Sequence, residues 1–371
     1  MPAAPHATRR AMLALCLLAG LAGATGTAVQ AQTSNAPSPN TPNTANTTSA
    51  ATWRETSTPE EQALDTAAFQ AVETALATQL TDVQSAVVVL RGRVVYRFYR
   101  DGDPEKLRDT QSASKSALSA LLATAIAQGH IASVDQRVVD LMPEWAPLNT
   151  DPRAATLTLR HLLTLTAGFA LDSGPRTRSG TAAPLPVREA WARPLAAEPG
   201  QVFAYDNSVT PLLAAVLEKA TGMPLADYAR QQLVGPLALA EPSYHHSIVH
   251  LRTLDMAKLG QLYLQRGQWN GKPLVPEGFA EASTQVQNAG GPPVGLSYGY
   301  LWWVVPGKAA RPTFMASGFG GQFIWVYPPL DLVVATTSTV SPASGQRGQA
   351  LQLIRNQVFA AAQRRAASEP R

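Results

Sequence analysis

The sequence predicts an α+β fold in which both ends of the chain build one antiparallel sheet, flanked by the N- and C-terminal helices, with a mainly helical lobe between. Three observations lead there. Of 371 residues, 45% are hydrophobic and 15% charged, ample for a sizeable core. Apolar β-rich runs gather early and late in the chain, and helical periodicity fills the middle third. Those runs do not alternate strand with helix, as a doubly wound parallel sheet requires.

The elements follow in order. Residues 1–31 read as a secretory signal peptide: Arg9 and Arg10, an apolar run from Ala11 to Ala24, and Val29-Gln-Ala31 as a small-residue cleavage site. The run is short and Gly/Ala-rich for a membrane span, so no integral span is expected after cleavage. Residues 32–58, rich in Asn, Thr, Ser and Pro, read as a flexible linker. Pro59 to Gln79 reads as a helix with Glu60 and Glu61 in its first turn. Ala86 to Leu90 and Val94 to Phe98 read as strands joined at Arg91-Gly92-Arg93. Leu118, Leu121, Leu122 and Ile126 share a helical face that Gly129 stops. Further helices are expected at Thr158 to Thr166, Ser208 to Thr221, Leu225 to Leu233 and Thr253 to Arg266. Late strands are expected at Gly299 to Val305, Gln322 to Tyr327 and Leu332 to Thr337, and Ser344 to Arg364 closes the chain as a helix. The body is thus placed at 59–366, with a helical lobe at about 112–240 inserted in a sheet lobe of 59–111 and 241–366. A ligand site belongs in the cleft between two such lobes.

Composition removes several functions. The formal charge is +4, and two of those charges leave with the signal segment, which holds no acid. Nucleic-acid binding needs clustered positive charge and is not expected. Cys16 is the single cysteine and lies in the signal segment, so the mature chain has no disulfide, zinc-thiolate site or cysteine nucleophile. The His245, His246 and His250 group has no acidic or sulfur ligand nearby, and no metal is assigned to it. His161 reads as a packed helix residue.

Chemistry-bearing residues fall in three stretches. Ser112-Ala-Ser-Lys115 opens the first middle helix, and a spacing of three puts hydroxyl and amine on one face. A serine needs a base to become a nucleophile, and an amine withdrawn from water beside other cations can take its proton. Alone, the pair also fits a helix cap and a solvated lysine. Tyr205-Asp-Asn207 follows a turn and precedes a helix. A phenol near an amine can shuttle a proton to a leaving group, and an amide can hold both lysine and substrate. Alone, Tyr205 is equally a core aromatic. In Ala316-Ser317-Gly318-Phe319, glycine allows close approach of a substrate to the backbone, where an N–H can complete an oxyanion hole. No phosphate loop is present, and no cofactor is called for.

Together, Ser-x-x-Lys, Tyr-x-Asn and a small-x-Gly stretch resemble the penicillin-recognising serine hydrolase superfamily. The Tyr-x-Asn form is similar to class C β-lactamases, D-alanyl-D-alanine carboxypeptidases, family VIII esterases and 6-aminohexanoate-dimer hydrolases. Stretches 112–122, 157–168, 255–264, 298–303 and 318–328 resemble the last group, and the likeness spans about residues 60–365. The resemblance implies Ser112 as acylated nucleophile, Lys115 and Tyr205 as coupled acid and base, and Asn207 as positioner. It implies the N–H groups of Ser112 and Phe319 as the oxyanion hole, with Ser317 and Gly318 beside them. From their own residue types, Trp302, Trp303 and Tyr300 could wall an apolar acyl pocket, although alternation along a strand would turn half of them into the core.

One departure from the pattern matters. Where β-lactamases and transpeptidases carry Lys-Thr-Gly, this chain has Ala316-Ser317-Gly318. The missing cation recognises a substrate carboxylate in those relatives, so an exported esterase or small-amide hydrolase is expected unless Arg311 or Lys308 supplies the charge. The alternatives are a true class C-type β-lactamase or carboxypeptidase, and a catalytically silent cell-envelope binding relative. The partner expected is a small-molecule ester or amide, and the location periplasmic or secreted.

Overall fold

The computed structural model describes residues 52–171, 184–245 and 248–364. The signal-segment and most of the linker readings, together with His246, lie outside them. At the centre is an eight-stranded antiparallel sheet. Its strands are β1 (Val83–Leu90), β2 (Arg93–Tyr99), β3 (Asn288–Gly291), β4 (Leu296–Tyr298), β5 (Trp303–Val305), β6 (Thr313–Gly318), β7 (Gln322–Tyr327) and β8 (Leu332–Ser338). In space they run β2-β1-β8-β7-β6-β5-β4-β3, a late meander onto which the early hairpin docks. That docking pairs Val87 with Ala335 on one side and with Arg97 on the other. A strand flanked and covered on both faces reads as continuous apolar sequence, which is why Val-Val-Val-Leu in β1 and Leu-Val-Val-Ala in β8 show no alternation.

Helices cover both faces. Helix α1 (Thr66–Thr78) and the C-terminal helical segment share one side, where Phe359 stacks on Tyr327 with centroids 4.9 Å apart. On the other side lies the helix Thr253–Leu264, every residue of it buried. It sits so close that a Cβ on Gly260 would come within 2.6 Å of Val333 and 2.7 Å of Ile324. Helix α2 (Lys115–Ala127) is buried on nearly all sides, not on the single apolar face its leucines suggest. Apart from Lys115 and Ile126, its remaining positions are Ala, Ser and Thr, small enough to admit neighbours all round. Gly129, at φ 76°, ends it. Helix α3 (Val209–Thr221) packs against it.

Five expectations about elements and boundaries need correction. The helix at Pro59–Gln79 is two pieces: Ala63 turns left-handed (φ 53°), and Asp65 starts α1 anew by accepting from the N–H of Ala67. The strand at Gly299–Val305 is a reversal, because Leu301 sits at φ 59° and Gly299 N–H bonds the Trp302 carbonyl, leaving β4 and β5 on either side. The helix at Thr158–Thr166 keeps only Leu159–Leu163, stopped by Leu165 at φ 55°. The closing helix is interrupted at Gly348 (φ 59°). Residues 53–58, expected in the linker, lie on the body: Trp53 packs on Trp269, and Glu55 pairs with buried Lys258 at 3.0 Å.

Candidate active site

Ser112 lies in a single 3-10 turn, Gln111–Ser114, that runs directly into α2, and Lys115 is the first residue of that helix. One turn of helix brings Lys115 Nζ to 2.9 Å from Ser112 Oγ. Lys115 is buried, and its Nζ also donates to Asn207 Oδ1 at 3.0 Å. The same nitrogen sits 5.3 Å from the centre of the Tyr205 ring. The hydroxyl, amine, amide and phenol ring singled out in the sequence are therefore brought together from two distant stretches.

The Tyr205-Asp206-Asn207 segment is held by the residue between them. Asp206 is buried, forms a 2.5 Å ion pair with Arg193, and accepts the Ser208 N–H at 2.9 Å. Arg193 in turn lies over Phe169. A carboxylate inside the protein stays charged only when paired, so this bond fixes both ends of the segment. Tyr205 also stacks on Trp303, with centroids 5.9 Å apart and planes 13° from parallel.

The third wall is the end of β6. Gly318 lies against the chain leading to Ser112, where a Cβ would meet the Thr110 carbonyl at 2.5 Å and Gln111 Cβ at 2.9 Å. Glycine is required there for proximity alone. Beyond it, Gln322 holds the turn that carries Phe319. Its Nε2 donates to the Phe319 and Ser338 carbonyls, each at 3.0 Å, and its Oε1 accepts the Ser338 N–H at 2.9 Å.

Ser112, Lys115, Tyr205, Asn207, Ser317, Gly318, Phe319 and Trp303 all line one cavity of about 650 Å³. Trp302 does not. It is fully buried in the core, 4.7 Å from Tyr263 and edge-on to Phe314. Tyr300 packs against Phe279 and bonds Arg160, also away from the cavity. Of the aromatic trio only Trp303, the first residue of β5, reaches the wall, since Tyr300 and Trp302 lie in the reversal around Leu301.

Among the described residues lining the cavity, Lys115 is the one cation and Asp109 the one carboxylate. Neither Arg311 nor Lys308 lines it. Arg311 bonds the Leu264 carbonyl at 2.7 Å, at the end of the helix Thr253–Leu264. Ala316 is buried in β6. No group of His, Cys, Asp and Glu among the described residues could hold a metal ion.

The sequence reading missed Asp206, Arg193, Gln322, Asp109 and Gln111. For the aspartates a signal exists, since an Asp side chain that accepts the backbone N–H two residues on is the pattern of an Asx turn, at 109–111 and 206–208. Arg193 and Gln322 reach partners through the fold, and nothing local marks them.

Comparison with known proteins gives the setting. The β-lactamase family model matches residues 69–250. No curated protein matches the sequence. A candidate 6-aminohexanoate-dimer hydrolase from Bacillus anthracis aligns with TM-score 0.64 and 20% identity, over 78% of this chain and 81% of that one. The hydrolase EstCE1, with promiscuous acyltransferase activity, aligns at 0.62 and 18%, over 80% and 99%. A penicillin-binding protein homologue from Caulobacter crescentus aligns at 0.62 and 15%, over 80% and 97%. At these identities the structural likenesses speak for the fold.

Proposed function

We propose that the chain is a member of the penicillin-recognising serine hydrolase superfamily, an exported hydrolase that cleaves a small ester or amide through an acyl-enzyme on Ser112. The observation that carries this reading is Lys115 Nζ, 2.9 Å from Ser112 Oγ and 3.0 Å from Asn207 Oδ1, at the wall of a cavity large enough for a small molecule.

The steps follow from that arrangement. Ser112 Oγ attacks the substrate carbonyl carbon while its proton passes to the Lys115–Tyr205 pair. The oxyanion formed is held by the N–H groups of Ser112 and Phe319. As the C–O or C–N bond breaks, the leaving group receives a proton from the Tyr205 hydroxyl, which recovers one from Lys115. Water then attacks the ester of Ser112, giving up a proton to the same pair, and the acid departs with Oγ reprotonated. Asn207 keeps the amine in place between these events.

The lining argues for neutral acyl substrates. Binding a carboxylate requires a compensating positive charge in a site withdrawn from water. Among the described lining residues the one cation, Lys115, is already engaged with Ser112 and Asn207, and Asp109 contributes a carboxylate. β-Lactams and peptide termini carry that carboxylate, so p-nitrophenyl esters of short acids and linear amides are the better substrates.

Removing the hydroxyl in Ser112→Ala is expected to lower ester turnover on the order of 10³-fold or more and to abolish fluorophosphonate labelling. A Ser112→Ala variant as active as the parent, or a parent that resists the label, contradicts the reading. The latter outcome marks a silent binding protein. Residues 1–31 support export; N-terminal sequencing of secreted protein is expected to start near residue 32, and a retained Met1 contradicts it.

A further inference from the structure

Asp109 and Gln111 line the same cavity, yet neither takes part in the steps above. Gln111 immediately precedes Ser112 and sits at φ 48°, the left-handed region that side chains other than glycine rarely adopt. The chain on either side is fixed. Arg108–Asp109 forms a short strand paired with Ile248–Leu251, and Arg108 is tied to Asp101 at 2.7 Å. Buried Thr110 directs both its N–H and its hydroxyl at the Val249 carbonyl, at 3.3 and 2.5 Å. From Ser112 onward the chain is helical. The reversal between strand and helix therefore falls on Thr110, which is already helical in φ and ψ, and on Gln111, the one residue of the turn at positive φ.

The Asp109 carboxylate closes on that residue twice. Oδ1 accepts the Gln111 N–H at 2.8 Å, and Oδ2 accepts the side-chain Nε2 at 2.6 Å. The Gln111 carbonyl is taken as well, by Ser114 Oγ at 2.9 Å. On the remaining side lies Gly318, whose lack of a Cβ leaves room for Gln111 Cβ. A strained conformation persists only where its surroundings over-determine it, and here the partners of both peptide groups and of the side chain do so.

We propose that Asp109 is a positioning residue: its carboxylate clamps Gln111 in the left-handed conformation and so aims Ser112 Oγ at Lys115 and the Ser112 N–H at the oxyanion site. This inference rests on the reading of Ser112 as nucleophile. It also explains how the oxygen and the N–H of one residue are aligned by a single carboxylate upstream in the chain.

The test is steady-state and single-turnover hydrolysis of a p-nitrophenyl ester by the parent, Asp109→Ala, Asp109→Asn and the double variant Asp109→Ala/Gln111→Gly. Misplacement of a reacting group by about 1 Å is worth ~10²-fold in rate. Asp109→Ala should therefore lower kcat and the acylation rate about 10- to 100-fold with KM nearly unchanged. Asp109→Asn, which keeps one acceptor for the Gln111 N–H, should fall between it and the parent. Glycine adopts positive φ freely, so adding Gln111→Gly to Asp109→Ala should recover several-fold of the lost kcat. A crystal structure of Asp109→Ala should show Gln111 at negative φ. The inference fails if Asp109→Ala keeps the parent kcat, if the loss is confined to KM, as for a substrate contact, or if the double variant is no faster than Asp109→Ala. A parent that is not labelled at Ser112 overturns both this and the functional reading, whereas a labelled parent matched by Asp109→Ala overturns this one alone.

Discussion

Trp302 and Trp303 are adjacent, identical in type and opposite in duty. Trp302 is enclosed by Tyr263 and Phe314, so Trp302→Ala should destabilise by about 3–5 kcal/mol in a denaturant titration. Its effect on kcat of the folded fraction should be small. Trp303 is the ring against which Tyr205 stacks, and Trp303→Ala should instead disturb ester hydrolysis even in protein shown to be folded. Equal kinetic effects of the two variants would contradict this assignment. Gly318→Val gives a third residue-level expectation. The added Cβ meets the backbone oxygen of Thr110, which cannot rotate away, so β6 or the turn before Ser112 must shift. Hydrolysis should fall ~10²-fold, and an unaffected rate would show that this close approach is unnecessary. At this scale the sequence was informative where chemistry and spacing coincide. Ser112 and Lys115 lie one helical turn apart, and a turn is the same length in any fold. It was uninformative at Trp302 and Trp303, because a reversal at Leu301 decides which ring turns inward.

Among the elements, the short helix Leu159–Leu163 depends on His161 in a way that pH can test. The N–H of Thr158 donates to His161 Nδ1 at 3.2 Å, which requires a neutral imidazole. Burial, and secondarily the charge of Arg160, lower the His161 pKa below its ordinary 6.5. With the folded value depressed, the unfolded chain binds the proton first as pH falls. The contribution is thus fully present above about pH 6.5 and is lost as pH drops through the folded value. Melting curves between about pH 7.5 and 5 should show this loss, and His161→Gln should flatten it; an identical pH dependence in the variant would contradict the assignment. The Arg193–Asp206 pair is a second case. With both side chains about nine-tenths buried, Arg193→Ala strands a carboxylate and should destabilise by about 3–5 kcal/mol. Boundaries were harder to read than elements. Asp65 restarting α1 and Gly348 breaking the last helix are local choices that continuous apolar periodicity conceals.

For the molecule as a whole, the sheet assembled from both chain ends was legible in β1 and β8, whose apolar runs need burial on both faces, and in the β-rich runs of β2 and β7. Strand β3, Asn-Ala-Gly-Gly, has no such signal and is a strand only because β4 offers an open edge. Strand β6 was hidden for another reason: its Ser317-Gly318 end has the composition of a turn, which the close approach to Thr110 demands. The charge among the described residues lining the cavity carries the specificity argument. With Lys115 engaged and Asp109 lining the same cavity, nitrocefin should be turned over far more slowly than a p-nitrophenyl ester, and an efficiency equal to that of a dedicated β-lactamase would refute the preference for neutral substrates. The central claim is covalent chemistry on one hydroxyl, and acid-quenched intact-mass spectrometry during turnover of esters, linear amides and β-lactams tests it most directly. The account predicts a mass increase equal to the acyl group on the parent, mapped to the peptide holding Ser112, and none on Ser112→Ala. Turnover by Ser112→Ala at the parent rate, or an adduct mapped to another residue, would contradict it.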